Sequence, residues 1–508
     1  MRRLLACIPF LIAAGCVSLP ERPELAPQVS MPPGSDGPLD LAVSDIESQH
    51  AGEAGFRLVV EGMEAFVIRV QSATHAARSI DVQSYIWHAD ATGRYLAQAL
   101  LAAADRGVRV RLLLDDLDSR AKNAGFGALA AHTNIEVRLF NPFATRSGGL
   151  RLAGEGLRDF GRINRRMHNK SWIADNRIAL VGGRNLGDEY FTASDQVNFV
   201  DLDFAMVGPV VRDVTASFDR FWNSSSAWPM EVLDPETVNE PALATLRTKL
   251  AEYTAGAQQS AYAQALRAND GIRQLVAGDW ALRWSSKYRF VSDDPAKVTM
   301  QKKDAARAAV GAAVIEQLRN ARSSLEIISP YFVPGDSGSD VLISRAKAGA
   351  TVQVLTNSLA ANDVASVHGG YSRHRKALLE GGVQLFELKP LAGEQPTSFT
   401  GSSGASLHTK ALATDGNTLF VGSYNLDPRS TWLNCEQGVL VEDTTLAAQL
   451  SEIFRQQSSA NRAWKVTLER GDLRWNDGGE TLDSEPVASG WRKFQAWFAR
   501  AFHLDAQL

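Results

Sequence analysis

One pattern occurs twice in this chain, and it limits the fold more sharply than any other feature. The segment MHNKSWIADNRIALVGGRNL carries His168-x-Lys170, Asp175 after four more residues, Gly182-Gly183 after six, and Asn185. LHTKALATDGNTLFVGSYNL repeats the order and each interval as His408, Lys410, Asp415, Gly422-Ser423 and Asn425. The offset is 408 − 168 = 240 residues in a chain of 508. A single His-x-Lys would mean little. Two copies with one spacing and the same glycine and asparagine ending point to a duplicated unit whose halves pack with approximate two-fold symmetry.

The flanking sequence repeats in the same order. Residues 62–78 have a helical pattern, SIDVQSYIWHAD is strand-like, and YLAQALLAAADRG is a helix stopping at Gly107. VRVRLLLDD, a short helix over 124–132 and IEVRLFNP continue the alternation. VIEQLRNARSSLEIISPYFVPGD, SDVLISRAKAGATVQVLTN and RHRKALLEGGVQLFELKP then follow the same sequence of elements. This rhythm predicts an α/β protein with covered, parallel or mixed sheets. A unit of about 200 residues is a domain duplication and not a solenoid. The expected lobes span 56–230 and 306–470, joined by a mainly helical linker over 231–305 with little strand character.

The motif's chemistry follows from residue type and period. Residues i and i+2 of a strand share a face, so each His and its Lys reach one point in space. Asp175 and Asp415 fall in the turn before a returning strand, and Asn185 and Asn425 offer amide donors at that strand's end. Two such halves together supply two His, two Lys and two Asn, a set suited to a phosphodiester. Lys170, Lys410, Asn185 and Asn425 would neutralise the phosphate oxygens as charge develops in the transition state. One imidazole would attack phosphorus and the other protonate the departing oxygen. An ammonium beside each His disfavours a metal, so neither a metal nor a cofactor is expected.

Both segments resemble the paired HKD motif of the phospholipase D superfamily, over about residues 56–470. That resemblance implies a duplicated α/β/α fold with two pseudo-two-fold-related lobes, mixed sheets and the active site at their interface. It also implies a covalent phosphohistidine, with His168 as nucleophile and His408 as general acid, roles that the internal symmetry leaves interchangeable. Asp175 and Asp415 belong to the catalytic signature, although the family uses this Asp more often for structure. A carboxylate on the strand after each motif would orient an imidazole; Glu436 fits in the second copy, and in the first Asp201 matches the family's pattern, with Asp203 on the same strand face as the alternative.

The ends of the chain add location. Arg2 and Arg3 precede an apolar run, Leu4 to Ala14, of eleven residues. As a helix it reaches about 16 Å, short of the roughly 30 Å hydrocarbon core, so residues 1–15 are expected to be a signal peptide. Ala13-Ala14-Gly15-Cys16 resembles a lipoprotein cleavage box, which implies acylation of Cys16 and, with Ser18 two places on, an outer-membrane anchor facing the periplasm of a bacterial envelope. Residues 17–38 hold six prolines and, with 16–55, read as a tether. At the other end, 471–508 is expected to form a hairpin and a helix bearing Trp491, Phe494, Trp497, Phe498 and Phe502 among Arg492, Lys493 and Arg500. This helix suits either a lipid headgroup boundary or packing on its own domain.

With 53 Lys+Arg against 57 Asp+Glu the formal charge is −4, which disfavours a nucleic-acid coat but allows a local cationic cleft. The layout, including YFVPGD at 331–336, resembles bacterial cardiolipin synthases that lack transmembrane helices. The expected partners are therefore membrane phospholipids, phosphatidylglycerol with phosphatidylethanolamine as a further candidate, and no nucleic acid. A phospholipase D releasing phosphatidic acid, a secreted metal-independent nuclease and a non-enzymatic envelope scaffold remain open. Arg162, Arg165 and Arg166 before the first motif, Tyr85 and Tyr331 at matching strand ends, and His88 shortly after Tyr85 are candidates for the mouth of the site.

Overall fold

The computed structural model describes residues 18–119, 122–146, 149–300, 308–362, 364–390 and 407–501. Residues 1–17, which hold the expected signal peptide and Cys16, and Phe502 lie outside them.

Two mixed sheets carry the fold. In the first, β2 (Ser79–Ser84), β3 (Arg109–Asp115) and β4 (Ile135–Phe140) are parallel neighbours. Antiparallel β5 (Ser171–Ala174), β6 (Ile178–Gly182), β7 (Asp203–Val207) and β1 (Ala54–Val59) follow on the β2 side. The second sheet repeats this order with β11 (Ser324–Ile328), β12 (Thr351–Asn357) and β13 (Gln384–Leu388) parallel. Beside β11 stand antiparallel β14 (Ala411–Thr414), β15 (Thr418–Gly422), β16 (Gln437–Glu442) and β10 (Tyr288–Ser292). The duplicated α/β architecture is as the resemblance implies.

Side chains alternate along the strands and so divide the core into layers. Ile178 and Leu180 of β6 face helices that cover the first lobe, whereas Ala179 and Val181 face the other lobe. On β16, Leu440 faces outward and Val439 and Val441 inward. The two inner faces share one apolar core, which also takes Val214 and Phe218 of the helix Pro209–Trp222 and Leu446 and Leu450 of the helix Thr444–Gln457. A shared core fixes the lobes against each other, as the placement of a site between them requires.

Three sequence expectations change. Residues 231–305 do contain helices, but they end in β9 (Arg283–Ser285), paired with β1, and in β10. Since β10 holds the place in the second sheet that β1 holds in the first, the second copy begins at Tyr288 and not at 306. These are short, half-exposed edge strands, too brief for alternation to stand out. The proline-rich segment is not a free tether either. Arg22 donates to the carbonyls of Ala227 and Ser224, and Gln28 to Glu136. Ser30 joins the buried Arg111–Asp81–Asp219 ion-pair group, and the helix Pro38–Gln49 follows. A chain with no core of its own can still hydrogen-bond along a neighbour's surface. Finally, the C-terminal hairpin starts before residue 471, with β17 (Ala463–Glu469) pairing β18 (Asp472–Asn476).

Candidate active site

Both histidines stand at equivalent sheet ends. His168 and Lys170 lead into β5, whose first residue pairs with Gln83 near the carboxyl end of β2. His408 and Lys410 lead into β14, whose first residue pairs with Ile328 at the carboxyl end of β11. The carboxyl ends of parallel strands are the usual place for a ligand in open α/β sheets.

The lobes meet at these two residues. The backbone N–H of His168 donates to the carbonyl of Cys435 at 2.9 Å, and that of His408 to the carbonyl of Val200 at 2.9 Å. The next residue in each case supplies a carboxylate: Glu436 Oε2 lies 2.9 Å from His168 Nδ1, and Asp201 Oδ2 lies 2.6 Å from His408 Nδ1. Each copy's acid therefore serves the other copy's histidine. Asp203, the alternative to Asp201, instead accepts from Arg69 at 3.0 Å. Cys435 contributes its carbonyl; burial pushes its thiol pKa well up, so it stays unreactive.

The tautomer of His168 follows from its second partner. The carbonyl of Ser423 is 3.0 Å from Nδ1 and can only accept, so Nδ1 carries the proton and Nε2 of the neutral ring has a free lone pair. Ser423 Oγ also donates to Glu436 Oε2 at 2.5 Å, fixing that carboxylate in turn. Around the imidazoles are aromatic walls. Tyr85 lies edge-on to His168 at 5.0 Å, and Tyr190 and Phe199 flank His408 at 5.2 and 5.4 Å.

Lys170 Nζ donates to its own His168 carbonyl at 2.6 Å, and Lys410 Nζ to that of His408 at 2.5 Å, so both ammonium groups sit beside the imidazoles. Burial first, and then these two cations, hold the His168 pKa well below the ordinary value and bring His408 down to about 4. Burial also lowers Lys170 to about 7 against the attraction of Glu436. Glu436 rises to about 7, again by burial and against the attraction of Lys170. Asp201 is different: burial pushes it up, but His408, Lys410 and Arg184 outweigh this and leave it below its usual range.

Not every expected residue reaches the centre. Asp175 accepts the backbone N–H groups of Ala77, Arg78 and Ser79 at 2.8, 2.8 and 2.9 Å. Asp415 does the same for Arg322, Ser323 and Ser324. Both occupy the turn at the far end of a four-residue strand, at positive φ of 51° and 54°, seven residues or about 23 Å along the extended chain from the histidines. Asp175 and Asp415 are therefore corrected from catalytic candidates to struts that hold the motif strand to the start of β2 or β11. Asn185 spends its Oδ1 on the Ile86 N–H and one amide hydrogen on the Tyr190 hydroxyl, leaving one donor. Asn425 is buried, with Oδ1 unpartnered among the described residues.

The arginine run is also structural. Arg162 binds Glu155 and the Pro142 carbonyl, Arg165 the Lys297 carbonyl, and buried Arg166 pairs with Asp115. Sequence reasoning missed Arg429, which crosses from the second copy to Asn164 and adds positive potential at His168. It also missed Tyr190, Phe199 and Gln437, whose amide donates to the Lys170 carbonyl at 2.8 Å. No spacing signal marks these residues, because their relation to the site is purely spatial.

Two groups among the described residues have metal-ligand atoms close together. His88, Asp90 and Glu189 form one, but Asp90 already caps Gly93 and Asp188 while His88 pairs with Glu189 at 3.0 Å. His368, Glu387 and Glu485 form the other, where the Arg375 guanidinium already supplies the positive charge.

The family model described as "Cardiolipin synthase, PLD-like domain" matches residues 70–222 and 314–458, one match for each lobe and each motif. The chain belongs to this phospholipase D-like family. It is thus an enzyme, and its two lobes are the family's duplicated domain. It is 43% identical over 465 residues to cardiolipin synthase C of Escherichia coli, covering 90% of this chain and 96% of that protein. An uncharacterized protein of Helicobacter pylori is 30% identical over 479 residues, covering 94% of this chain and 93% of that one. Among solved structures, a phosphatidylserine synthase from Haemophilus influenzae shares the fold with a TM-score of 0.57 at 12% identity, covering 92% of this chain and 99% of that one. Among the described residues of this phospholipase D-like enzyme no helix is long and apolar enough to cross a membrane.

Proposed function

We propose that this enzyme is a phosphatidyltransferase forming cardiolipin from phosphatidylglycerol and a second phospholipid. The observation that carries the reading is the crossed pairing of His168 with Glu436 and His408 with Asp201, which leaves both Nε2 atoms for chemistry in the positive field of Lys170 and Lys410. In the first step His168 Nε2 attacks phosphorus, the bond from phosphorus to the leaving alcohol's oxygen breaks, and His408 gives that oxygen its proton. In the second, His408 takes the proton of an incoming hydroxyl, whose oxygen displaces the imidazole from phosphorus.

The two carboxylates favour this division of roles. Asp201 stays ionised against His408 and so favours its imidazolium, whereas Glu436 is raised and His168 is held neutral, as a nucleophile must be. An anionic diester between the lysines offsets the charges that depress His408 and raises its proton affinity when substrate is present. Lys170 and Lys410 neutralise the phosphoryl oxygens, with Asn185 and Asn425 as further donors.

The choice of phosphatidylglycerol rests on the extended likeness to a protein named cardiolipin synthase C. Phosphatidylethanolamine is the further candidate. In this reading residues 1–15 are cleaved, Cys16 is acylated, and the enzyme faces the periplasm from the outer membrane; labelled fatty acid should attach to the wild type and not to C16S. The deciding experiment is product analysis on mixed phosphatidylglycerol and phosphatidylethanolamine vesicles, with H168A and H408A beside the wild type. Cardiolipin from the wild type alone supports the proposal. Phosphatidic acid as the sole product under every acceptor would make the enzyme a hydrolase, and full turnover by H168A would refute the mechanism.

A further inference from the structure

The C-terminal helix Gly490–Ala501 turns its apolar side outward. Trp491, Phe494, Trp497 and Phe498 are 58%, 48%, 52% and 42% exposed, and Phe160 is the only other exposed Trp or Phe among the described residues. At 100° per residue the four rings fall within an arc of roughly 120°, and they touch one another in a continuous row. Ala496 and Ala499 lie on the opposite side, buried against the helix Ala365–Glu380. A Cβ at Gly369 would stand 2.4 Å from the Ala496 carbonyl, so only glycine admits this close approach. Arg492 clamps the helix further by donating to the carbonyls of Leu359 and Asn362. The helix is thus fixed to the protein by its small face, with its large face in solvent.

Its position relates it to the active site. Leu359 and Asn362 follow the carboxyl end of β12, where the Asn357 side chain donates to the Leu407 carbonyl and accepts its N–H at 3.0 Å. Leu407 precedes His408. The aromatic row therefore stands at the same end of the second sheet as the catalytic imidazole.

We propose that this row is a lipid-docking surface that seats the active-site mouth on an anionic phospholipid bilayer; the inference rests on the phospholipid reading above. Charge and area select this occupant. The helix carries Arg492, Lys493 and Arg500 and no carboxylate, in a chain whose formal charge is −4. Lys493 and Arg500 border the aromatic arc, the arrangement in which rings enter the acyl boundary and ammonium and guanidinium groups meet headgroup phosphates. A helix of this length is about 18 Å long and about 10 Å wide, so it offers about 200 Å², well under the roughly 800 Å² per partner of a stable protein interface.

The test uses the full chain carrying C16S, so that no acyl anchor contributes. Co-sedimentation with phosphatidylglycerol vesicles should fall about tenfold or more in W491S/F494S/W497S/F498S. K493E/R500E should lose the preference for phosphatidylglycerol over phosphatidylcholine vesicles. Turnover of a soluble diester such as bis-p-nitrophenyl phosphate should be unchanged in both, which also reports folding. In the C16S chain without further substitutions, hydroxyl-radical footprinting should show vesicles protecting Trp491 and Trp497. Undiminished sedimentation or absent protection overturns the proposal. So does a loss of dimer mass in light scattering with vesicle binding intact, since a second copy would then be the occupant. Row-dependent binding by a chain that turns over no lipid would uphold the docking surface and sink the transferase reading. Lipid turnover with row-independent binding would do the reverse.

Discussion

Replacing Glu436 by Gln tests the crossed pairing directly. The change keeps size and removes one charge from a fully buried site. An Nδ1–Oε2 separation of 2.9 Å puts the charge centres about 4 Å apart. At an effective dielectric constant near 20 such a pair is worth about 4 kcal/mol. The positive charge that His168 acquires on bonding to phosphorus loses this stabilisation, and at 1.36 kcal/mol per decade the rate should fall about 1,000-fold. The pH profile carries a second signature. Glu436, raised to about 7, loses its charge as pH falls below that value, so it gives the acid limb. Lys170, lowered to about 7, loses its proton as pH rises above it and gives the alkaline limb, the apparent values belonging to the coupled pair. In E436Q the acid limb disappears, and the alkaline limb moves to lower pH because Lys170 has lost the attraction that held its proton. The assay is cardiolipin or phosphatidic acid formation from vesicles between pH 5 and 9, with a thermal melt to confirm folding. A folded E436Q within about tenfold of wild type and with an unchanged profile would falsify the pairing argument.

Other consequences can be measured independently. Asp201→Asn should impair protonation of the leaving group, so an activated p-nitrophenyl ester, whose leaving oxygen needs little proton transfer, should lose far less rate than a phospholipid. Asp175→Ala leaves three backbone N–H groups without their acceptor and should cost about 2–4 kcal/mol of stability, read as a lower melting temperature, while kcat of the folded fraction stays near wild type. In NMR titration His408 should remain neutral down to about pH 4, and a bound tungstate ion, as a phosphate mimic, should raise its pKa; no movement would contradict the proposed charge compensation. Gly369→Leu should detach the C-terminal helix, raising the solvent accessibility of Ala496 amide hydrogens in exchange measurements.

Much of this was legible along the chain because it is written in spacing. The repeated His-x-Lys interval put each His beside its Lys, although the pairs lead into β5 and β14 instead of lying within them and are held by the local bond of each Lys Nζ to its His carbonyl. The helix–strand alternation gave the parallel cores β2–β4 and β11–β13 in the same way. Edge strands β9 and β10 were lost because a run of three to five half-exposed residues has too few turns of the pattern to show. The proline-rich segment misled because composition reports whether a segment can build a core, not whether a neighbour offers it hydrogen-bond partners.

By itself the sequence determined that two equivalent units exist, that each contributes one His and one Lys, and that Glu436 and either Asp201 or Asp203 are the acids in play; the contacts of Asp201 with His408 and of Asp203 with Arg69 chose between the latter two. Which acid serves which histidine was decided only by packing: the shared apolar core brings Cys435–Glu436 against His168 and Val200–Asp201 against His408. The distinction between Asp175 and His168, seven positions apart in one motif, is likewise tertiary. A strand carries its two ends to different environments, one at the lobe interface and one at the backbone of β2, and only the fold says which end meets the substrate.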